Sequence, residues 1–118
     1  MNRFVPLAAI VAACGSEVMP PKLDGTMQQQ TVQSVTCPTN PDATIATVDG
    51  MNAYTPMTAT IAVGQIVKFT MQSTHNAASM TPGLAVDFGQ TLCLQFSATG
   101  TFSFRCTRHG FMGTVNVQ

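Results

Sequence analysis

Short apolar segments separated by turn residues fill the chain from about residue 36 to its end. The segments are rich in Thr, Val, Ile and Phe, and Gly, Pro, Asn or Asp interrupts them roughly every eight to twelve residues. No stretch keeps the period of an amphipathic helix. The pattern predicts an all-β sandwich or barrel, with strands at 43–48, 58–63, 66–71, 91–96, 101–106 and 113–117.

Alternation assigns a face to each side chain of these strands, because successive residues of a strand project to opposite sides. In the strand that ends at Cys106, we expect Phe102, Phe104 and Cys106 to face the core and Ser103 and Arg105 to face outward. Cys106 is therefore predicted to close a strand on its buried face.

The first residues are similar to an export signal. Arg3 precedes an apolar run that ends at Cys14 in a sequence resembling a bacterial lipobox. We predict that residues 1–13 are a signal peptide of the lipoprotein type, that residues 14–35 are a flexible tether carrying lipid at Cys14, and that residues 36–118 are the folded domain. The protein is then expected in the bacterial cell envelope or periplasm. A buried N-terminal strand is the alternative for the apolar run.

The composition limits the chain to one small domain. Its 118 residues include five basic and five acidic side chains, and 8% of them are charged, against about 25% in an average domain. The formal net charge is zero and no basic run is present, which argues against nucleic acid as a partner. The longest apolar run is about half of the roughly 20 residues that cross a bilayer, so we expect no transmembrane helix. We expect a monomer.

The four cysteines occur in different contexts. Cys14 is assigned to lipid by the signal motif, and Cys106 lies three residues before His109 in a cluster of soft donor groups. Cys37 and Cys93 remain, and in an oxidising compartment we expect them to form a disulfide. Two buried free thiols are the alternative.

Two histidines and two sulfur-containing side chains lie at the ends of predicted strands. His75 follows one strand, and Cys106, His109 and Met112 lie just before the last one. Because the loops of a β-sandwich gather at its ends, these four side chains can converge. Two imidazoles, a thiolate and a thioether are the donor set of a blue-copper site, with a His-His-Cys plane and a weak axial Met. The sequence therefore predicts one bound copper ion that alternates between Cu(I) and Cu(II).

Other interpretations of these residues remain open. Both histidines could be surface residues, with Cys106 a core thiol and Met112 a packing residue. Zinc could use the same donors, although structural zinc sites rarely include a thioether. Cys106 could be a nucleophile with a histidine as its base, but no acidic residue lies nearby to orient that base. We expect that the protein is not an enzyme.

The same segments resemble the cupredoxins, the small blue-copper proteins that include plastocyanin, pseudoazurin and amicyanin. The resemblance covers residues 43–118. The motifs that carry it are Tyr54-Thr55-Pro56, the segment 63–69, Thr74-His75-Asn76 and the segment 100–115. The resemblance implies a Greek-key β-sandwich, and the short spacing from His109 to Met112 is similar to that of amicyanin.

Carried over position by position, the resemblance implies a ligand set. His75, Cys106 and His109 would be the equatorial copper ligands and Met112 the axial one. Asn76 and Thr107 would hydrogen-bond to each other across the site and hold the two ligand loops in register.

The function implied by the resemblance is transfer of single electrons between redox proteins of the cell envelope. Partners would dock briefly around the exposed edge of His109, on an apolar rim that we expect to include Met80, Pro82, Leu84 and Phe111. Arg105 and Arg108 would add positive charge there and favour an acidic partner. Copper storage or delivery, without electron transfer, is the alternative function.

Overall fold

The computed structural model describes residues 31–118. The predicted signal peptide, the lipid attachment at Cys14 and most of the predicted tether lie outside these residues. Residues 31–118 form β-strands and connecting loops only, so they contain no helix that could cross a membrane. The strands are β1 (Val32–Val35), β2 (Ala43–Thr47), β3 (Tyr54–Thr55), β4 (Thr58–Ile61), β5 (Ile66–Thr70), β6 (Ala77–Ala78), β7 (Ala85–Val86), β8 (Thr91–Phe96), β9 (Gly100–Arg105) and β10 (Met112–Val117).

The strands form two five-stranded sheets. One sheet has the order β1-β8-β5-β2-β3 and the other the order β4-β10-β9-β6-β7. The β2–β5 and β4–β10 pairs are parallel, and the remaining pairs are antiparallel. Parallel neighbours require chain crossovers, so strands adjacent in sequence often lie in different sheets. The all-β sandwich predicted from the sequence is confirmed.

The core lies between the two sheets and follows the predicted alternation. Phe69 of β5 and Phe104 of β9 are fully buried, and their rings meet edge to face across the core with 5.4 Å between centroids. Cys106 is also fully buried, whereas Ser103 and Arg105 are exposed. Phe102 is only half-buried because it lies at the margin of the core, where it packs against Phe96.

The folded region begins earlier than the predicted boundary at residue 36. Val32–Val35 forms β1, which pairs with β8 from Val32 opposite Phe96 to Val35 opposite Cys93. Val32 is fully buried in the core. The polar residues around this valine gave no alternation long enough to predict a strand.

The predicted disulfide between Cys37 and Cys93 is present, with a Cα–Cα distance of 5.2 Å. It joins the segment that follows β1 to the middle of β8, and it leaves Cys106 as a free buried thiol. The covalent link therefore fastens the edge strand β1 to the sheet.

Candidate metal centre

Two loops at one end of the sandwich bring three donor side chains together. His75 lies in the loop between β5 and β6, where its N–H donates a hydrogen bond to the Gln72 carbonyl at 3.0 Å. Cys106 follows β9, and His109 lies in the loop that leads to β10. That second loop is closed by two backbone hydrogen bonds, from the Gly110 N–H to the Cys106 carbonyl and from the Cys106 N–H to the Phe111 carbonyl.

The donor atoms have the spacing of a trigonal metal site. The Cys106 Sγ lies 3.9 Å from Nδ1 of His75 and 3.7 Å from Nδ1 of His109. All three residues offer a ligand atom within 4.8 Å of the others. Metal–sulfur bonds of about 2.3 Å and metal–nitrogen bonds of about 2.0–2.1 Å, set at 120°, place sulfur and nitrogen about 3.8 Å apart. The observed distances therefore fit one metal ion that His75, Cys106 and His109 would hold together.

The three donor residues differ in how far they are buried. His75 is 2% exposed and Cys106 is 0% exposed, whereas His109 is exposed at the surface. Nε2 of His75 is buried and has no hydrogen-bond partner among the described residues. The ring of His75 is instead held by packing against its neighbours, with 5.0 Å to the centroid of His109 and 5.1 Å to that of Phe111. One of the three donor residues, His109, thus connects the site to solvent.

Asn76 and Thr107 link the two ligand loops, in the contact that the resemblance implies. Oδ1 of Asn76 accepts a hydrogen bond from the Thr107 backbone N–H at 2.9 Å and from the Thr107 hydroxyl at 3.3 Å. Each residue follows a donor residue directly, so the pair holds the loop of His75 against the loop of Cys106.

Tyr54 supports the site from the core and was not predicted to do so. Its hydroxyl donates a 2.6 Å hydrogen bond to the backbone carbonyl of Asn76. Its ring contacts those of Phe104 and Phe111 edge to face, at 4.8 Å and 4.6 Å between centroids. Burial raises the pKa of the Tyr54 hydroxyl far above its usual value, and the electrostatic effect of Cys106 adds to this shift. Tyr54 therefore stays protonated and keeps donating at neutral pH.

The structure does not bring Met112, the predicted axial ligand, into this group. Met112 is 56% exposed and lines an outward groove of about 300 Å³ with Met80, Ser103 and Arg105. The half-buried residue beside the two imidazoles is Phe111, whose ring stacks on His109 at 6.3 Å and 18°. The sequence contained a signal for this difference, because the alternation that buries Val115 also points Met112 outward.

The surface around His109 differs from the predicted apolar rim. Leu84 is 0% exposed and belongs to the core, so its assignment to the rim is wrong. Met80 is 99% exposed and lines the outward groove. Arg108 places its guanidinium 5.0 Å from the ring centroid of the exposed Phe88, which holds the positive charge against an aromatic face.

Comparison with known proteins yields structural relatives. No family model matches the sequence, and no curated protein matches it. Among solved structures, amicyanin from Paracoccus versutus (Thiobacillus versutus) has a TM-score of 0.59 and 16% identity, covering 76% of this chain and 100% of that one. The Cu(I) form of an amicyanin mutant has a TM-score of 0.58 and 18% identity, covering 75% and 99%. A reduced form of another mutant has a TM-score of 0.56 and 18% identity, covering 75% and 99%. These similarities confirm the resemblance at the level of the fold: the chain has the cupredoxin fold, a Greek-key β-sandwich.

Proposed function

We propose that this protein is a type 1 copper electron carrier, which passes single electrons between redox proteins. The observation that carries the proposal is the donor geometry: one thiolate sulfur lies 3.9 Å and 3.7 Å from two imidazole nitrogens, on a fold shared with amicyanin. A copper ion held there would accept and release one electron as it changes between Cu(II) and Cu(I). His75, Cys106 and His109 would hold it.

The three side chains suit an ion that must change charge without rearrangement. His75 and Cys106 are packed in the core, and the Asn76–Thr107 hydrogen bonds fix the loops that carry them. A preformed set of ligands needs little movement when an electron arrives or leaves. His109, the exposed ligand, provides the edge at which a redox partner can approach.

Copper suits this site better than zinc or covalent catalysis. Structural zinc sites are almost always four-coordinate, and within residues 31–118 no fourth His, Cys, Asp or Glu side chain joins the three donors. Cys106 is fully buried, so its sulfur is out of reach of a substrate that would need to be attacked. Both features favour a metal-binding role for the thiol.

A metal-loading experiment tests the proposal. Purified protein with one equivalent of Cu(II) is expected to turn intensely blue, to lose the colour on reduction, and to show the small copper hyperfine splitting of a type 1 site by EPR. Cys106→Ser removes the thiolate and should abolish the colour. Ser103→Ala, an exposed change on the preceding strand, is the matched control and should leave it intact. A colourless wild-type protein with Cu(II) would refute the proposal.

Copper delivery is the second candidate function, and the two exposed methionines of the outward groove, Met80 and Met112, favour it because thioethers bind Cu(I) reversibly. One measurement, the transfer of copper to a copper-free acceptor, distinguishes the two functions. A carrier exchanges electrons with a second copy of itself and keeps its copper when mixed with a copper-free acceptor of the same site type. A delivery protein loses copper to that acceptor.

We also propose that the protein is exported and works as a monomer in the bacterial cell envelope. The Cys37–Cys93 disulfide supports an oxidising compartment. Attachment through a lipid on Cys14 rests on the sequence motif alone. Mass spectrometry of the mature protein tests the attachment, and an unmodified Met1 at the N-terminus would refute it.

A further inference from the structure

The pairing of β9 with β10 separates Met112 from Cys106. Met112 lies directly opposite Arg105 in this antiparallel pair. Directly opposed residues project to the same face of a sheet, and Arg105 is exposed. Cys106, which follows Arg105, and Gly113, which follows Met112, are both buried and lie on the inner face. The Met112 thioether and the Cys106 thiolate are therefore on opposite faces.

Gly113 fixes this arrangement. A β-carbon at position 113 would lie 2.6 Å from the ring of Phe104 and 2.8 Å from that of Tyr54, closer than real contacts allow. Only glycine fits on the inner face at that point. A shift of β10 by one residue would turn Met112 inward, but it would also turn Val115 and Val117 out of the core, where they are 0% and 4% exposed.

Phe111, rather than Met112, lies beside the donor group on the inner face. Its carbonyl accepts the 3.0 Å hydrogen bond from the Cys106 N–H, so its backbone lies beside that residue. Its ring packs edge to face on His75 at 5.1 Å and stacks on His109 at 6.3 Å. Tyr54 closes the far side of the ring at 4.6 Å. An aromatic hydrocarbon thus contacts both imidazoles of the donor group.

We infer that Phe111, and not Met112, closes the inner side of the copper site, leaving a three-ligand centre of two imidazoles and one thiolate with no thioether donor. The inference rests on the proposed function. Phe111 would act as a positioning residue that holds both rings and excludes water. A missing thioether withdraws a donor that stabilises Cu(II), so the wild-type midpoint potential should be high for a site with these three ligands.

Two substitutions and one control test the inference in the copper-loaded protein. Met112→Leu should leave the midpoint potential, the visible spectrum and the EPR parameters unchanged, as should Met80→Leu, the control at the other exposed methionine of the groove. Phe111→Met should lower the potential and alter the EPR spectrum, because it supplies a thioether on the inner face. A raised potential in Met112→Leu, with Met80→Leu unchanged, would overturn the inference and leave the proposed function standing.

If Phe111→Met does not fold, a spectroscopic measurement on the wild-type protein tests whether Met112 binds copper. Protein labelled with ¹³C at its methionine methyl groups is compared in the apo and Cu(I) forms, which are both diamagnetic. The Met112 methyl signal should keep the position of an exposed methionine in both forms. A Cu(I)-dependent shift of that signal, larger than that of Met80, would show ligation and overturn the inference. Failure of the wild-type protein to bind copper would instead refute the proposed function.

Discussion

At the scale of single residues, the link between the two ligand loops depends on one amide oxygen. Oδ1 of Asn76 accepts from both the backbone N–H and the hydroxyl of Thr107, and Asn76 is itself buried. The backbone bond is the shorter at 2.9 Å, and the hydroxyl bond is 3.3 Å long. The two bonds should therefore differ in their contributions to stability.

We predict that Asn76→Ala destabilises the apo protein by about 1–3 kcal/mol, because it leaves the Thr107 N–H without its acceptor. Thr107→Val removes only the longer bond and should cost less. Urea unfolding of both variants, monitored by circular dichroism, gives the two free energies. Equal or reversed losses would show that the backbone bond is not the main link.

Of the four donor residues predicted from the sequence, the structure brings three together and leaves the side chain of Met112 exposed. His75, Cys106 and His109 were identified from donor types and from their places at strand ends, and the structure brings all three together. Tyr54 and Phe111 were harder to assign. Nothing in the sequence distinguishes an aromatic residue that only packs in the core from one that also supports a metal site. Only the three-dimensional arrangement shows that Phe111 contacts both imidazoles and that Tyr54 supports Phe111 and the backbone of Asn76.

At the scale of elements, β10 depends on the absence of a side chain at Gly113. The rings of Phe104 and Tyr54 occupy the space that a β-carbon would need, and both rings are buried. Neither ring can move into solvent without opening the core. Glycine is therefore the only residue that fits at position 113 without displacing a buried ring.

We predict that Gly113→Ala destabilises the protein by about 1–3 kcal/mol through overpacking, and that it weakens copper binding because Tyr54 also supports Asn76. Gly64→Ala is the control: its φ of +87° makes alanine strained, but nothing lies within 4 Å of the added carbon. It should lower stability by about 1 kcal/mol and leave copper binding intact. Thermal unfolding and copper titration test both variants, and unchanged copper affinity in Gly113→Ala would contradict the proposed coupling.

Alternation predicted the long strands and missed the short ones. The range 91–96 was predicted with the boundaries that β8 has, and the other long strands differ from their predicted ends by one or two residues. The strands β3, β6 and β7 have two residues each, which is too short to show an alternation of apolar and polar positions in the sequence. For Met112, the soft-donor chemistry of its thioether suggested a ligand, but the alternation of β10 sets the direction of the side chain.

At the scale of the whole molecule, the disulfide holds β1 to a small domain. Cys37 and Cys93 are 56 positions apart in sequence, so the bond closes a long loop of the unfolded chain. On the chain-entropy model, a loop of this length contributes about 4 kcal/mol.

We predict that reduction of this disulfide lowers the free energy of unfolding by about that amount, measured by urea unfolding with and without reductant. The Cys37→Ala/Cys93→Ala double variant should match the reduced protein and should not respond to reductant. Thiol titration of the denatured, unreduced wild-type protein checks the starting state. Two reactive thiols beyond that of Cys106, in protein whose Cys14 carries lipid, would show that the disulfide does not form in solution.

The charge beside the exposed donor residue His109 should influence electron exchange. Arg108 is exposed and stands next to His109 in sequence, whereas Lys68 lies in β5 of the other sheet. We predict that Arg108→Glu slows oxidation of the Cu(I) protein by the anion hexacyanoferrate(III) and accelerates oxidation by a cationic cobalt(III) complex, most strongly at low salt. Stopped-flow kinetics give both rates.

Lys68→Glu makes the same change in net charge at a distant strand and serves as the control for this prediction. It should change the two rates less than Arg108→Glu does. Equal effects of the two substitutions would show that net charge, and not the surface beside His109, governs the approach of the oxidant.

The close packing at Gly113 makes the length of the preceding loop a determinant of copper chemistry. Adding one residue between Met112 and Gly113 would keep the glycine against the two rings while moving the sulfur of Met112 to the inward side. Such an insertion would exchange a hydrocarbon neighbour for a sulfur donor without altering any existing side chain. The midpoint potential of this small protein could thus be changed through the length of one loop, without any substitution.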